Sequence, residues 1–217
     1  MIDETNPAGR LHKLLVAAKS HSDSKKVRNV WSEVLDVELD DAVITKAVVE
    51  LYSLTHQIQS LIKIKEGLNQ KLYLNSFSQI ERALMPLHLN SGWSAVKVNL
   101  SDEALTRLQF CAEELSEFYA EDTLSEDELK NVIEKIEALF NSVCESQLPD
   151  SLRVALLEEV ERLRSAISMY RINGAKGLKE ALQATIGSVV ANQEELKTVS
   201  SDNQAFTSNT TASHAMP

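Results

Sequence analysis

Apolar residues recur at alternating spacings of three and four from Leu11 to Val190, a period that fits one face of a helix and does not fit a strand. Two runs show it most plainly. Leu129, Val132/Ile133, Ile136, Leu139/Phe140 and Val143 form one; Leu152, Leu156, Val160, Leu163, Ile167 and Tyr170 form the other. Narrow stripes of this kind suit antiparallel helices packed at shallow angles. The fold expected is all-α: antiparallel helical hairpins, or a bundle, of about seven or eight helices with a flexible polar C-terminal tail. No strict heptad survives three or four repeats, which makes one long coiled coil the weaker alternative. No internal repeat of good fidelity marks a solenoid. Six Gly, four Pro and 5% aromatic residues agree with long helices and short connections.

Start and stop signals divide the chain further. Asn6–Pro7 reads as a helix start, with Leu11, Leu14, Leu15 and Ala18 on one face. The polar stretch His21-Ser22-Asp23-Ser24 breaks that helix and is expected to cap the next, which carries Val27, Val30, Trp31, Val34 and Leu35. Asp40–Asp41 opens a long third helix through Ile44, Val48, Leu51, Ile58, Leu61 and Ile62. The pattern weakens at Gly67 and resumes from about Leu68 or Leu72 to Leu87. Ser101 with Asp102 and Glu103 begins a helix carrying Leu105, Leu108, Ala112, Leu115 and Tyr119. Ser125 with Glu128 three residues on is a capping box, and Pro149–Asp150 restarts the chain. Asn173–Gly174 fits a left-handed stop before a last helix, Ala175 to Lys197, carrying Leu178, Leu182, Ile186, Val189 and Val190.

The organisation expected from these signals is a helical region over 1–90, a joint at 91–100 pinned by Trp93, and an acidic helical region over 101–197. The two regions would pack together as one domain. Residues 198–217, rich in Ser, Thr and Asn with Phe206 as the lone large apolar anchor, read as the tail. Both cysteines, Cys111 and Cys144, sit within apolar periodicity and read as buried thiols in a reducing compartment. No run of about 18 apolar residues suggests a membrane span, and the first residues lack a basic leader pattern, so the expected location is cytoplasmic.

Charge is the most unequal property of the chain. Residues 101–150 hold 14 Asp/Glu against 3 Lys/Arg, while the whole chain carries −10. Such a field attracts basic surfaces and repels nucleic-acid backbones. Glu113, Glu117 and Glu121, at i, i+4 and i+8, read as an acidic ridge with Glu114 and Asp122 beside it. Like charges four apart cost about 0.2–0.5 kcal/mol per pair in a helix, a cost that a basic surface lying against the ridge would offset. The runs Lys25-Lys26-Arg28 and Lys63/Lys65 are the complement the chain itself offers, in a self-assembly.

The segment from Arg171 to Lys179 is the most distinctive motif. Gly174 and Gly177 three apart, with Arg171, Lys176 and Lys179, could bind an anion at a helix start; a tight helix–helix corner is the plainer reading. It lacks the Gly-x-x-x-x-Gly-Lys-Ser/Thr of a phosphate-cradling loop.

Other chemistry finds little support. The residues three before His12, His21, His56, His88 and His214 are never Glu, so Glu-x-x-His metal pairs are absent, and the cysteines have no zinc spacing. Glu114/Glu117, Glu134/Glu137 and Glu158/Glu161 have the Glu-x-x-Glu spacing of helical Mg²⁺-dependent nucleotide pyrophosphohydrolases. The Glu-x-x-Asp pairs Glu33/Asp36 and Glu38/Asp41, however, lie upstream instead of downstream. No Gly-x-Ser-x-Gly elbow is present. The function expected is therefore that of a non-catalytic helical interaction module (scaffold, adaptor or inhibitor) that uses an acidic ridge and apolar helix faces, without cofactor or metal, binding a protein with a basic surface or itself, and neither nucleic acid nor membrane. Two alternatives stand beside it. One is an accessory or antitoxin-like subunit of a bacterial toxin–antitoxin or antiviral defence system; the other is a Mg²⁺-dependent nucleotide hydrolase or nucleotide sensor.

Overall fold

The computed structural model describes residues 5–191, which form ten helical segments and no strand. Eight of these have eight residues or more, so the all-α helical reading is what the chain adopts. The expected tail at 198–217 with Phe206, and the end of the last helix at Lys197, lie outside the described residues.

The chain divides into two compact units. Unit 1 takes residues 1–123 and 168–177; unit 2 takes 124–167 and everything from 178 onward. The division does not fall in 91–100. That stretch stays within unit 1, where Trp93 and Leu100 are buried in the main core.

Unit 1 is built as its helix signals foretell. In α1 (Pro7–Lys19) the Asn6 side chain accepts from the Gly9 N–H at 3.0 Å, and its amide donates to the Ala112 carbonyl at 3.0 Å. A fully buried asparagine thus satisfies its own helix start and ties it to the helix that carries Ala112. The α2 helix (Val27–Leu35) buries Val27, Val30, Trp31, Val34 and Leu35. Asp40 caps α3 (Asp41–Ile64) through the Ala42 and Val43 N–H groups. Ser101 caps α7 (Asp102–Phe118) through Ala104. The α1 helix lies against α7, α3 and α2, which brings Leu11, Leu15, Leu51, Ile58, Leu108 and Leu115 into one core.

Two local expectations change. The helix expected up to Leu87 is broken at Asn75–Ser76 into α4 (Gln70–Leu74) and α5 (Phe77–Leu84). No side chain of 21–24 caps α2. Its N-cap is Lys26, and the segment before it is held by backbone pairing with 89–94. Val27 N–H donates to Ser91 O at 3.1 Å, and Arg28 N–H to Leu89 O at 3.0 Å. In return Trp93 N–H donates to Lys25 O at 2.7 Å and Ser94 N–H to Asp23 O at 3.2 Å. Between these two segments lie α3 to α5, so sequence-local capping rules could not reveal the pairing. A short α6 (Ser94–Lys97) follows. Trp93 pins the loop as expected, its ring edge-on to Trp31 at 5.3 Å.

Unit 2 consists of α8 (Glu126–Glu145), most of α9 (Asp150–Ser168) and the part of α10 (Tyr170–Ala191) from Leu178 onward. The Ser125/Glu128 capping box forms in both directions. Its core is Ile136, Val160 and Leu163, flanked by half-buried Val132, Phe140, Ile167 and Ala181. Arg164 sits 3.7 Å over the Phe140 ring and pairs with Glu161 at 2.8 Å and with Glu137. Cys144 is exposed, against expectation. It lies one residue beyond buried Val143, a rotation of about 100° that carries it off the stripe.

Candidate functional site

Three features select themselves: the acidic residues around α7, the glycine corner at 174, and the outer face of α10. The first two meet in unit 1.

The acidic ridge is not continuous. The α7 helix ends at Phe118, and Tyr119 has φ −146°, ψ 56°, so Glu121 is not on the helix face that carries Glu113 and Glu117. Glu121 turns inward, with its N–H donating to Thr5 O at 2.7 Å. Its carboxylate accepts from Arg10 Nη1 at 2.7 Å, the two side chains being 7% and 10% exposed. Arg10 Nε donates to the Ile172 carbonyl at 3.0 Å. Glu114 also faces its own chain. It accepts from Lys65 Nζ at 2.6 Å and from the Tyr73 hydroxyl at 2.9 Å. Those two bonds, Lys65 first, hold the Glu114 carboxyl below the ordinary carboxylate range, and the same carboxylate pushes the Tyr73 hydroxyl up. Lys65, offered by the sequence as a partner for another copy, is thus taken up within the chain. Lys25 pairs with Glu33, and Arg28 pairs with Asp41 at 3.0 Å. Glu113, Glu117 and Asp122 remain as exposed carboxylates.

The glycine corner receives Glu121. Gly174 has φ +64° inside the span of α10, a conformation side chains rarely adopt. A Cβ there would lie 2.7 Å from the Arg10 guanidinium and 3.0 Å from Glu121 Oε2. The anion at this corner is therefore a carboxylate of the chain itself. The other corner residues are engaged nearby. Lys176 Nζ donates to the Tyr119 hydroxyl at 2.6 Å, Arg171 pairs with Asp36 at 2.7 Å, and Asn173 donates to Glu50 at 3.3 Å. Gly177 closes against Asn173, where a Cβ would meet that side chain at 2.6 Å. Lys179 is exposed and belongs to unit 2. Together these contacts fasten residues 168–177, with Met169 and Ile172 in the core, onto unit 1. This cluster holds residues 168–177 in place.

Cys111 is buried, and burial pushes its thiol up to about 12, far from a reactive thiolate. Among the described residues no group of three or more His, Cys, Asp or Glu is placed to hold a metal ion, and no helix is long and apolar enough to cross a membrane.

The outer face of α10 carries the apolar stripe of that helix. Leu182, Ile186 and Val190 are 48%, 54% and 62% exposed, with Val189 beside them. The side turned inward carries Ala181, Thr185 and Ser188, all half-buried. The Thr185 hydroxyl is buried without a hydrogen-bond partner. Periodicity marks this face, and among the described residues it stands exposed.

No protein-family model, no curated protein and no solved structure matches this chain.

Proposed function

We propose that this chain is a non-catalytic helical protein–protein interaction module, a scaffold, adaptor or inhibitor that acts by contact. One observation carries the reading: unit 2 inverts the usual balance of apolar burial. Among the described residues it buries four hydrophobic side chains, Ile136, Val143, Val160 and Leu163. It exposes seven large ones, including Ile133, Leu139, Val154 and the α10 face. Unit 1 buries thirty-two and exposes eight. A three-helix unit with so thin a core is expected to be marginal alone, and uncovered apolar surface of this extent marks a contact surface.

Glu113, Glu117 and Asp122 supply a second, weaker surface for a partner with basic groups. The same charge disfavours a nucleic-acid backbone.

The test is the native mass of the tagged full chain purified from its own cells, compared with a Leu182→Ser, Val190→Ser variant. The parent is expected to retain a companion chain, either itself or another protein, and the variant to lose it. A parent that carries nothing, indistinguishable from the variant, would contradict the reading. For the acidic surface, Glu113, Glu117 and Asp122 changed to Gln should remove the salt dependence of binding.

A further inference from the structure

The α10 helix places its small and polar residues against unit 2 and its branched apolar residues in solvent. Had burial within one chain decided the orientation, Leu182, Ile186 and Val190 would face inward, because removing such side chains from water is favourable. Ala181, Thr185 and Ser188 occupy that side instead, at the cost of a buried hydroxyl without a partner.

We infer that the exposed α10 face is closed by the same face of a second copy of this chain, in an antiparallel twofold pair. This rests on the interaction reading above and deepens it by naming the partner. Charge selects the partner. A twofold contact lays a patch against a copy of itself, so a patch of net charge repels its partner. The α8 helix carries six acidic residues against Lys130 and Lys135 and would repel its copy. In α9 both signs are interlaced, with Arg164 already held by Glu137 and Glu161. From Ala181 to Ala191 there is no ionisable residue at all. In a chain of net charge −10, this uncharged stripe is the surface that matches itself.

The geometry follows from helical spacing. Ile186 lies midway between Leu182 and Val190, one turn from each. An antiparallel twofold pair therefore sets Ile186 against Ile186 and Leu182 against Val190. The stripe runs only about 16 Å. One helix face of that length covers far less than the roughly 800 Å² per partner of a standard interface, so association should depend on concentration at about micromolar levels.

Sedimentation of the full chain across that range, with complementary variants, tests the pairing. The parent is expected to rise toward twice the 24.1 kDa chain mass. Ile186→Glu and Ile186→Lys alone should each weaken association by about tenfold or more through like-charge contact. An equimolar mixture of the two should recover the pair. Val190→Gln, which removes apolar area without adding charge, should weaken it while retaining full helicity. Val98→Glu, at an exposed apolar site of unit 1, should leave it unchanged. A parent that stays a single chain overturns the proposal and assigns the face to residues 192–217, to another protein or to a lipid surface. Variants that pair as well as the parent, or a mixture that does not recover, overturn it equally. The broader reading fails separately: it falls only if the parent also carries no companion from its own cells.

Discussion

Unit 1 and unit 2 are made of the same material, helices with apolar stripes at three-four spacing, yet they use it differently. In unit 1 the stripes of α1, α2, α3 and α7 converge, and Trp31, Trp93, Leu11 and Ile58 are wholly buried. In unit 2 the stripes of α8 and α9 meet over only a few residues, and the best stripe of α10 faces out. Much of what unites unit 2 is polar and exposed, such as Arg164 between Glu137 and Glu161. Exposed pairs of that kind contribute little each. The difference teaches that amphipathic periodicity specifies a helix with a sticky side; whether that side is core or interface depends on what lies opposite.

The largest contrast should come from one chemistry applied to both cores. Leu11→Ala, at a fully buried site, should cost about 3–5 kcal/mol in global unfolding measured by denaturant. Leu163→Ala should leave the unit 1 transition in place and melt α8 and α9 first, seen as an early partial loss of helicity. Equal effects on one shared transition would erase the distinction between the units.

Next in size is the buried ion pair at the glycine corner. Glu121→Ala leaves Arg10 buried without its carboxylate and should cost about 3 kcal/mol. Glu121→Gln should cost less, because the amide oxygen still accepts from Arg10. If the alanine variant is as stable as the parent, the corner does not fasten residues 168–177.

Glu114 gives a smaller, pH-dependent effect. Its carboxyl is held low by Lys65 and then by Tyr73, so it binds a proton less readily folded than unfolded. The stability it contributes is therefore full above the unfolded carboxylate value of about 4.3 and is lost as pH falls through the lower folded value. Glu114→Gln should cost about 1 kcal/mol or less at neutral pH, and the gap should close in acid. A gap that widens in acid would reverse the assigned sign.

The mildest probe perturbs nothing. A thiol reagent at neutral pH should label one cysteine per native chain, exposed Cys144 in unit 2, and reach Cys111 only on unfolding. Rapid labelling of both would show that unit 1 is looser than its burial indicates.

Helix starts were readable because capping is local: Asn6, Asp40, Ser101 and the Ser125/Glu128 box each satisfy N–H groups within three residues. The buried faces of α1 and α2 were readable because both helices sit in a core with neighbours on the apolar side. The acidic ridge was not, for two reasons. The α7 helix stops at Phe118 without a glycine or proline to announce it, and Glu121 is captured by an arginine 111 positions away. The pairing of 23–28 with 89–94 was hidden for the same reason, being a contact at long sequence range. In the site itself, the residue types around Gly174 were visible as a cluster of cations beside glycine. The partner of Arg171, Asp36, and the Arg10–Glu121 pair that packs against Gly174 come from elsewhere in the chain. The orientation of α10 was beyond the reach of periodicity, which ranks faces by polarity and does not know which face has a neighbour.

Amide hydrogen exchange resolved along the chain, in dilute and concentrated solution, tests most directly whether unit 2 waits for a covering surface. At dilution, amides of α8 and of 178–191 should exchange at least about tenfold faster than those of α1, α3 and α7, and slow as concentration rises. Equal protection of both units in the dilute single chain would contradict the account, because unit 2 would then need nothing laid over it.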